Sequence, residues 1–161
     1  MVESDIPKVA FALNKHLSEN YEVHIEFSDE EVGHFLMPQQ GVVNSWLVED
    51  ETSGEVSDFI SFYELNSSVL DHEHHDKIVA AYGYYNFVQG NVPERMKQLM
   101  RDALILAKQR GYDVFNMTEV LKHGLVKHDL MFKPGDGRLA HYLYNWRMKS
   151  LSADNVGIVL V

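Results

Sequence analysis

The stretch that most narrows the possible folds runs from residue 80 to residue 116. Residues 80–88, AAYGYYNFV, are almost wholly apolar or aromatic and too short for a buried helix, so they read as an interior strand. Pro93 then opens a helix over 94–110, where Met96, Leu99, Met100, Ala103, Leu104 and Ala107 recur at helical spacing. Gly111 stands in the position that favours a left-handed cap, and residues 112–116, YDVFN, follow as a buried strand. A strand, a five-turn helix and a strand imply a right-handed crossover between parallel strands.

The flanks supply the rest of the sheet. Ile6, Val9, Ala10, Leu13 and Leu17 share one face of a helix with Pro7 in its first turn. Ser28-Asp29-Glu30-Glu31 is a capping box opening a short helix through Val32, Phe35 and Leu36, and Pro38 stops it. Residues 42–48 and 56–65 are strand-like runs joined by a polar turn containing Gly54, hence a hairpin. After residue 116 the pattern predicts two short helical pieces up to about residue 130, then strands over 139–146 and 156–160. The expected fold is α/β (α+β in its antiparallel part), with a mixed sheet of six or so strands. No repeat or linker divides the chain, so residues 1–161 read as one domain.

Composition excludes several functions. With 45% apolar residues there is material for a core, and with no cysteine neither a disulfide framework nor a thiolate zinc site can form. No apolar run approaches the ~20 residues of a membrane span, and MVESDIPKVAF lacks the pattern of a signal peptide. The expectation is a soluble cytoplasmic protein without stable membrane insertion. A formal net charge of −10 disfavours nucleic acid and favours a cationic partner. The run Asp71-His72-Glu73-His74-His75-Asp76 carries metal-ligating residue types but reads as a solvated loop, so no metal is expected.

The last residues, VGIVLV, alternate as a strand buried on both faces would. A buried strand at the terminus would carry the α-carboxylate of Val161 inward. The order of elements resembles the acetyltransferase fold of the GNAT superfamily. There the turn before the long helix carries a Gln/Arg-x-x-Gly-x-Gly/Ala cradle for a pyrophosphate. Here that turn is Val88-Gln89-Gly90-Asn91-Val92-Pro93, with one glycine, a β-branched valine and a proline that removes an amide. No coenzyme A site is expected in this chain.

Six stretches carry a more specific resemblance: Asp58-Phe59-Ile60-Ser61-Phe62-Tyr63, Ala80-Ala81-Tyr82 with Tyr85-Asn86, Asp102-Ala103-Leu104-Ile105-Leu106-Ala107-Lys108, Tyr112-Asp113-Val114-Phe115-Asn116, Gly135-Asp136-Gly137 and Tyr142-Leu143-Tyr144-Asn145-Trp146. In order and spacing they resemble the C-terminal half of eukaryotic N-myristoyltransferases, over residues 5–161. The resemblance implies one GNAT-like half of a two-half enzyme. Such enzymes move myristate from myristoyl-CoA, the co-substrate, to the N-terminal glycine amine of proteins.

By the same resemblance, an N-terminal half holds myristoyl-CoA, so this chain would be inactive alone. This half would supply the peptide groove, and the Val161 carboxylate would be the general base. Ser67, Tyr82, Asp136, Gly137, Leu139 and Leu160 are the implied peptide-binding residues, with Asp136 facing a substrate lysine a few residues in. Asn66 stands where the family has proline, and Met131-Phe132-Lys133-Pro134 departs from its Lys-Phe-Gly-x pattern. The alternatives are a non-catalytic module gripping glycine-started peptides and, less well supported, an ordinary GNAT N-acetyltransferase.

Overall fold

The computed structural model describes residues 1–70, 73–135 and 137–159. Its centre is a four-stranded sheet in the order β2–β3–β4–β5, made of β2 (Val43–Glu49), β3 (Val56–Ser68), β4 (Lys77–Val88) and β5 (Val114–Asn116). The first three strands are antiparallel and β5 runs parallel to β4. The crossover between those parallel strands is the long helix α3 (Pro93–Gln109), with Pro93 at its first position. Gly111, at φ +83°, takes the left-handed turn that ends it.

Alternation sorts side chains onto two faces. Ile60, Phe62, Ala81 and Val88 meet Met96, Leu99, Met100, Ala103 and Ala107 of α3. On the opposite face Phe59, Tyr84, Tyr85 and Phe87 meet Val9, Leu13 and Leu17 of α1 (Ile6–Asn20) and Val32 of α2 (Asp29–Phe35). The capping box forms: Ser28 Oγ accepts from the Glu31 amide at 3.2 Å, while Glu31 Oε2 accepts from the Ser28 amide at 2.8 Å. The Glu31 carboxyl is accordingly held below its ordinary range by those Ser28 bonds.

Four expectations need correction. The six-stranded sheet is instead four strands plus a separate parallel pair, β1 (Val23–His24) with β6 (Val156–Gly157). The expected strand over 139–146 is absent. Its side chains lie open, Tyr142 at 88%, Tyr144 at 87% and Trp146 at 78% exposure, because none of the described strands offers it a ladder. Strand β5 begins only at Val114 and is partly exposed, having a neighbour on one side alone. The two helical pieces before residue 130 reduce to one 3-10 turn, His123–Leu125. Leu121 and Lys122 just before it have φ +52° and +61°, which no right-handed helix accommodates. No helix among the described residues is long and apolar enough to cross a membrane.

Candidate functional site

The segment up to Val159 is tied inward by four kinds of contact. Strand β6 pairs with β1, and the Glu22 amide donates to Asn155 O at 3.0 Å. Glu22 also accepts from Asn155 Nδ2 at 2.7 Å and meets Lys149 Nζ at 3.1 Å. Gly157 lies against the Tyr21 ring so closely that a Cβ there would sit 2.8 Å from Tyr21 Cγ and Cδ2. Beyond it Val159 enters the core, 5% exposed, and its amide donates to the Tyr85 hydroxyl at 3.3 Å. The expected strand over 156–160 therefore shortens to a two-residue ladder, with the inward path maintained by packing. Leu160 and Val161 lie outside the described residues.

From Tyr85 a row of aromatic rings crosses the same face of the sheet. Tyr84 meets Tyr85 edge-on at 4.8 Å, Tyr63 meets Tyr84 at 5.5 Å, and Tyr63 stacks on Tyr82 at 5.4 Å and 18°. Register explains the last pair, because Tyr63 is opposite Tyr82 across β3 and β4. Ser67 is opposite Ile78 in the same ladder. Period two puts Ser67, Tyr63 and Tyr82 on one face, with Ser67 four strand residues, about 13 Å, from Tyr82. Of the expected site residues, the structure thus brings Ser67 and Tyr82 onto the face that receives Val159. Gly137 and Leu139 are exposed, and none of the described contacts joins them to Ser67 or Tyr82. Asp136 lies outside the described residues.

The buried tyrosines of this face, and the two buried histidines of the core, are poor bases. Burial pushes Tyr84 up to about 12 and raises Tyr63 and Tyr85, so these phenols remain protonated at neutral pH. His123 is fully buried behind Asn86. Its Nδ1 donates to Thr118 O at 2.8 Å, which fixes Nε2 as acceptor of the Asn86 amide. His16 stacks on Phe87 at 5.3 Å. Burial holds both imidazoles down to about 4, with Lys122 adding to the effect at His16, so each is a neutral core group.

The turn before α3 is a 3-10 piece, Gln89–Asn91, with Gly90 at φ +70° and Val92 preceding Pro93 without a side-chain cap. Sequence reasoning missed its electrostatic partner. Asp58, 4% exposed, accepts from Arg95 Nη2 at 2.6 Å and Nε at 2.9 Å in the first turn of the helix. A phosphate approaching that helix end finds the Arg95 guanidinium already occupied by Asp58, and the amide at position 93 is missing. Two surface hollows of about 220 and 160 Å³ lie at the β2–β3 turn and beside the α3–β5 junction, and neither includes Ser67 or Tyr82. Among the described residues no three histidine, aspartate or glutamate side chains converge as a metal site. Asp71 and His72 lie outside the described residues.

Residues 1–159 match the family described as "Myristoyl-CoA:protein N-myristoyltransferase, C-terminal domain". Glycylpeptide N-tetradecanoyltransferase 1 of Arabidopsis thaliana is 41% identical, covering 100% of this chain and 36% of that protein. The probable glycylpeptide N-tetradecanoyltransferase of Caenorhabditis elegans is 40% identical, over 99% and 35%. The chain spans about a third of the length of the curated relatives it matches. A crystal structure of Saccharomyces cerevisiae N-myristoyltransferase with bound myristoyl-CoA superposes with a TM-score of 0.77 at 29% identity, over 85% of this chain and 37% of that one. A Trypanosoma brucei acetyltransferase superposes at 0.63 with 14% identity, over 89% and 96%, a likeness of fold alone.

Proposed function

The chain belongs to the family of myristoyl-CoA:protein N-myristoyltransferase C-terminal domains, and from that premise we propose that it is the peptide-side half of such an enzyme. Its relatives are named for glycylpeptide N-tetradecanoyl transfer, an acyl transfer. In this reading residues 1–161 form one domain of a cytoplasmic enzyme that accepts glycine-started proteins, preferentially with a lysine a few residues in. Myristoyl-CoA, the ligand of the yeast structure, is the co-substrate and is held mainly by an N-terminal half. Pro93 and the already paired Arg95 at the start of α3 support that division of labour.

One observation carries the proposal: the docked terminal segment and the Tyr82 face are continuous, joined through Tyr63, Tyr84 and Tyr85. Ser67 and Tyr82 line the peptide groove, which Asp136, Gly137, Leu139 and Leu160 complete. The nucleophile begins as an ammonium with a pKa of about 7.7–8.0, and a free α-carboxylate has one of about 3.3–3.7. The gap of about four units opposes proton transfer by roughly 5–6 kcal/mol in water. Burial destabilises both ions relative to their neutral forms and narrows it.

The Val161 carboxylate takes a proton from the ammonium. The amine nitrogen then bonds to the thioester carbonyl carbon, and the carbon–sulfur bond breaks with its electron pair leaving on sulfur. The amide nitrogen sheds its remaining extra proton, and the thiolate is left to be protonated. Neutral phenols along the groove hydrogen-bond without competing for the proton. No metal is called for in this reading.

Complementation tests the reading. Mixing the chain with an N-terminal half should restore transfer of myristate to a glycine-started peptide, while the chain alone should bind neither myristoyl-CoA nor acetyl-CoA at micromolar concentration. Peptide binding without turnover in the mixture would favour a non-catalytic module. Tight acetyl-CoA binding by the chain alone would favour an acetyltransferase.

A further inference from the structure

Ser67 sits on a projection. Pairing of β2 with β3 ends at Val43 opposite Tyr63, and β5 reaches β4 only at residues 80–82. The Glu64 amide still donates to Val42 O at 2.7 Å, but from Leu65 to Ser68 strand β3 has β4 as its one ladder partner, and a two-stranded ribbon is marginally stable without further support. On the face opposite Ser67 a polar chain supplies that support. Glu64 Oε1 accepts from Asn66 Nδ2 at 2.8 Å, and Glu64 Oε2 accepts from the Tyr112 hydroxyl at 2.9 Å. That hydroxyl accepts from Asn44 Nδ2 at 3.0 Å, and Asn44 Oδ1 accepts from Arg110 Nη1 at 2.7 Å. The Arg110 guanidinium lies 4.6 Å over the Trp46 ring.

The far end of this chain is anchored. Tyr112 and Asn44 are 7% and 8% exposed, and the Tyr112 ring meets Phe62 edge-on at 5.4 Å. The Tyr112 amide donates to Ala107 O at 3.1 Å, so the ring is fixed by the end of α3. Burial, and then the neighbouring Glu64, raise the Tyr112 phenol, which keeps the proton it donates. The near end grips Asn66, the residue that precedes Ser67 and points to the other face.

We propose that Glu64 is a positioning residue: its carboxylate ties the β3 projection at Asn66 to the buried Tyr112, and so holds the Ser67 hydroxyl at the peptide groove. This rests on the reading of Ser67 as a peptide contact. Glu64 touches no substrate. Its charge suits it for the task, because one carboxylate accepts from two donors at once and strengthens both bonds.

The test uses the chain assembled with an N-terminal half. Tyr112→Phe, which is nearly isosteric, and Glu64→Ala should each raise the KM for a glycine-started peptide about 3–10-fold, the size of one lost hydrogen bond's ordering effect. The KM for myristoyl-CoA should not move. Amide exchange at residues 66–68 should quicken about tenfold while core strands stay protected. With Ser67→Ala already present, Tyr112→Phe should add nothing to peptide KM. A drop in thermal stability with unchanged KM and unchanged exchange at 66–68 would overturn the proposal. If Ser67→Ala itself leaves peptide KM unchanged while exchange still quickens, the Ser67 reading fails and the positional role with it, although the tether stands.

Discussion

Gly157→Ala is the substitution that interrogates the docked terminus most sharply. The added Cβ would fall 2.8 Å from Tyr21 Cγ and Cδ2 and 3.0 Å from Tyr21 Cβ, well inside van der Waals contact. These atoms are the stem of a ring that is 4% exposed, so they cannot swing aside as the tip of a long side chain would. Gly157 is not among the glycines with positive φ, so the cost is steric and not conformational. Overpacking of this kind costs about 1–3 kcal/mol. In a chain of this size that lowers Tm by roughly 2–12 °C.

Gly124→Ala is the matched control, because nothing lies within 4 Å of its added Cβ. It should change stability by no more than about 0.5 kcal/mol. Thermal unfolding followed by circular dichroism reads both. With Tyr21→Ala already present, Gly157→Ala should cost almost nothing further, since its collision partner is gone. In the assembled enzyme Gly157→Ala should also lower kcat well below its Tm, because Val159 is displaced from Tyr85. Wild-type Tm and wild-type kcat in Gly157→Ala would refute the docking argument.

Acid should unfold the chain in a defined window. His16 and His123 are held down to about 4 in the fold and titrate near 6.5 when unfolded, so their contribution is intact above pH ~6.5 and lost as pH falls toward ~4. The loss is about 3 kcal/mol for each histidine, read as a falling urea midpoint, and a flat midpoint between pH 7 and 4.5 would contradict it. If Asp136 meets a substrate lysine, Asp136→Asn should weaken lysine-containing peptides by ~1–3 kcal/mol and leave alanine-substituted peptides nearly untouched, as measured by calorimetry on the assembled enzyme. Equal losses for both peptides would assign Asp136 to loop shape.

Much of the scaffold was legible because local signals agreed. The capping box at Ser28, Pro93 and Gly111 at the two ends of α3, and the hairpin around Gly54 each combine a periodic pattern with a terminator. The strand expected over 139–146 shows the limit of such reading: alternation reports which side chains could share a face, not whether a neighbouring backbone is there to pair. The division of the sheet was hidden for the same reason. Val23–His24 is a two-residue strand defined by its distant partner Val156–Gly157. The contact of Gly157 with Tyr21, the Asn86–His123 pair and the chain from Asn66 to Arg110 all join residues far apart in sequence. Tyr82 and Ser67 entered through family resemblance, and the β3–β4 register then placed them on one face. Gly137 and Leu139 entered the same way and gain no such support, since none of the described elements includes them.

The claim at the centre is that the acyl-accepting amine loses its proton to the carboxylate following the docked β6 segment. The most direct measurement compares myristate transfer by the assembled enzyme with a free Val161 carboxylate and with Val161 amidated. Loss of a general base removes about 10²–10⁴-fold, and the loss should fall mainly on kcat. Val161→Leu, which retains the carboxylate, should be nearly silent. An amidated enzyme turning over at the unmodified rate would contradict the account, and the terminal segment would then serve packing alone.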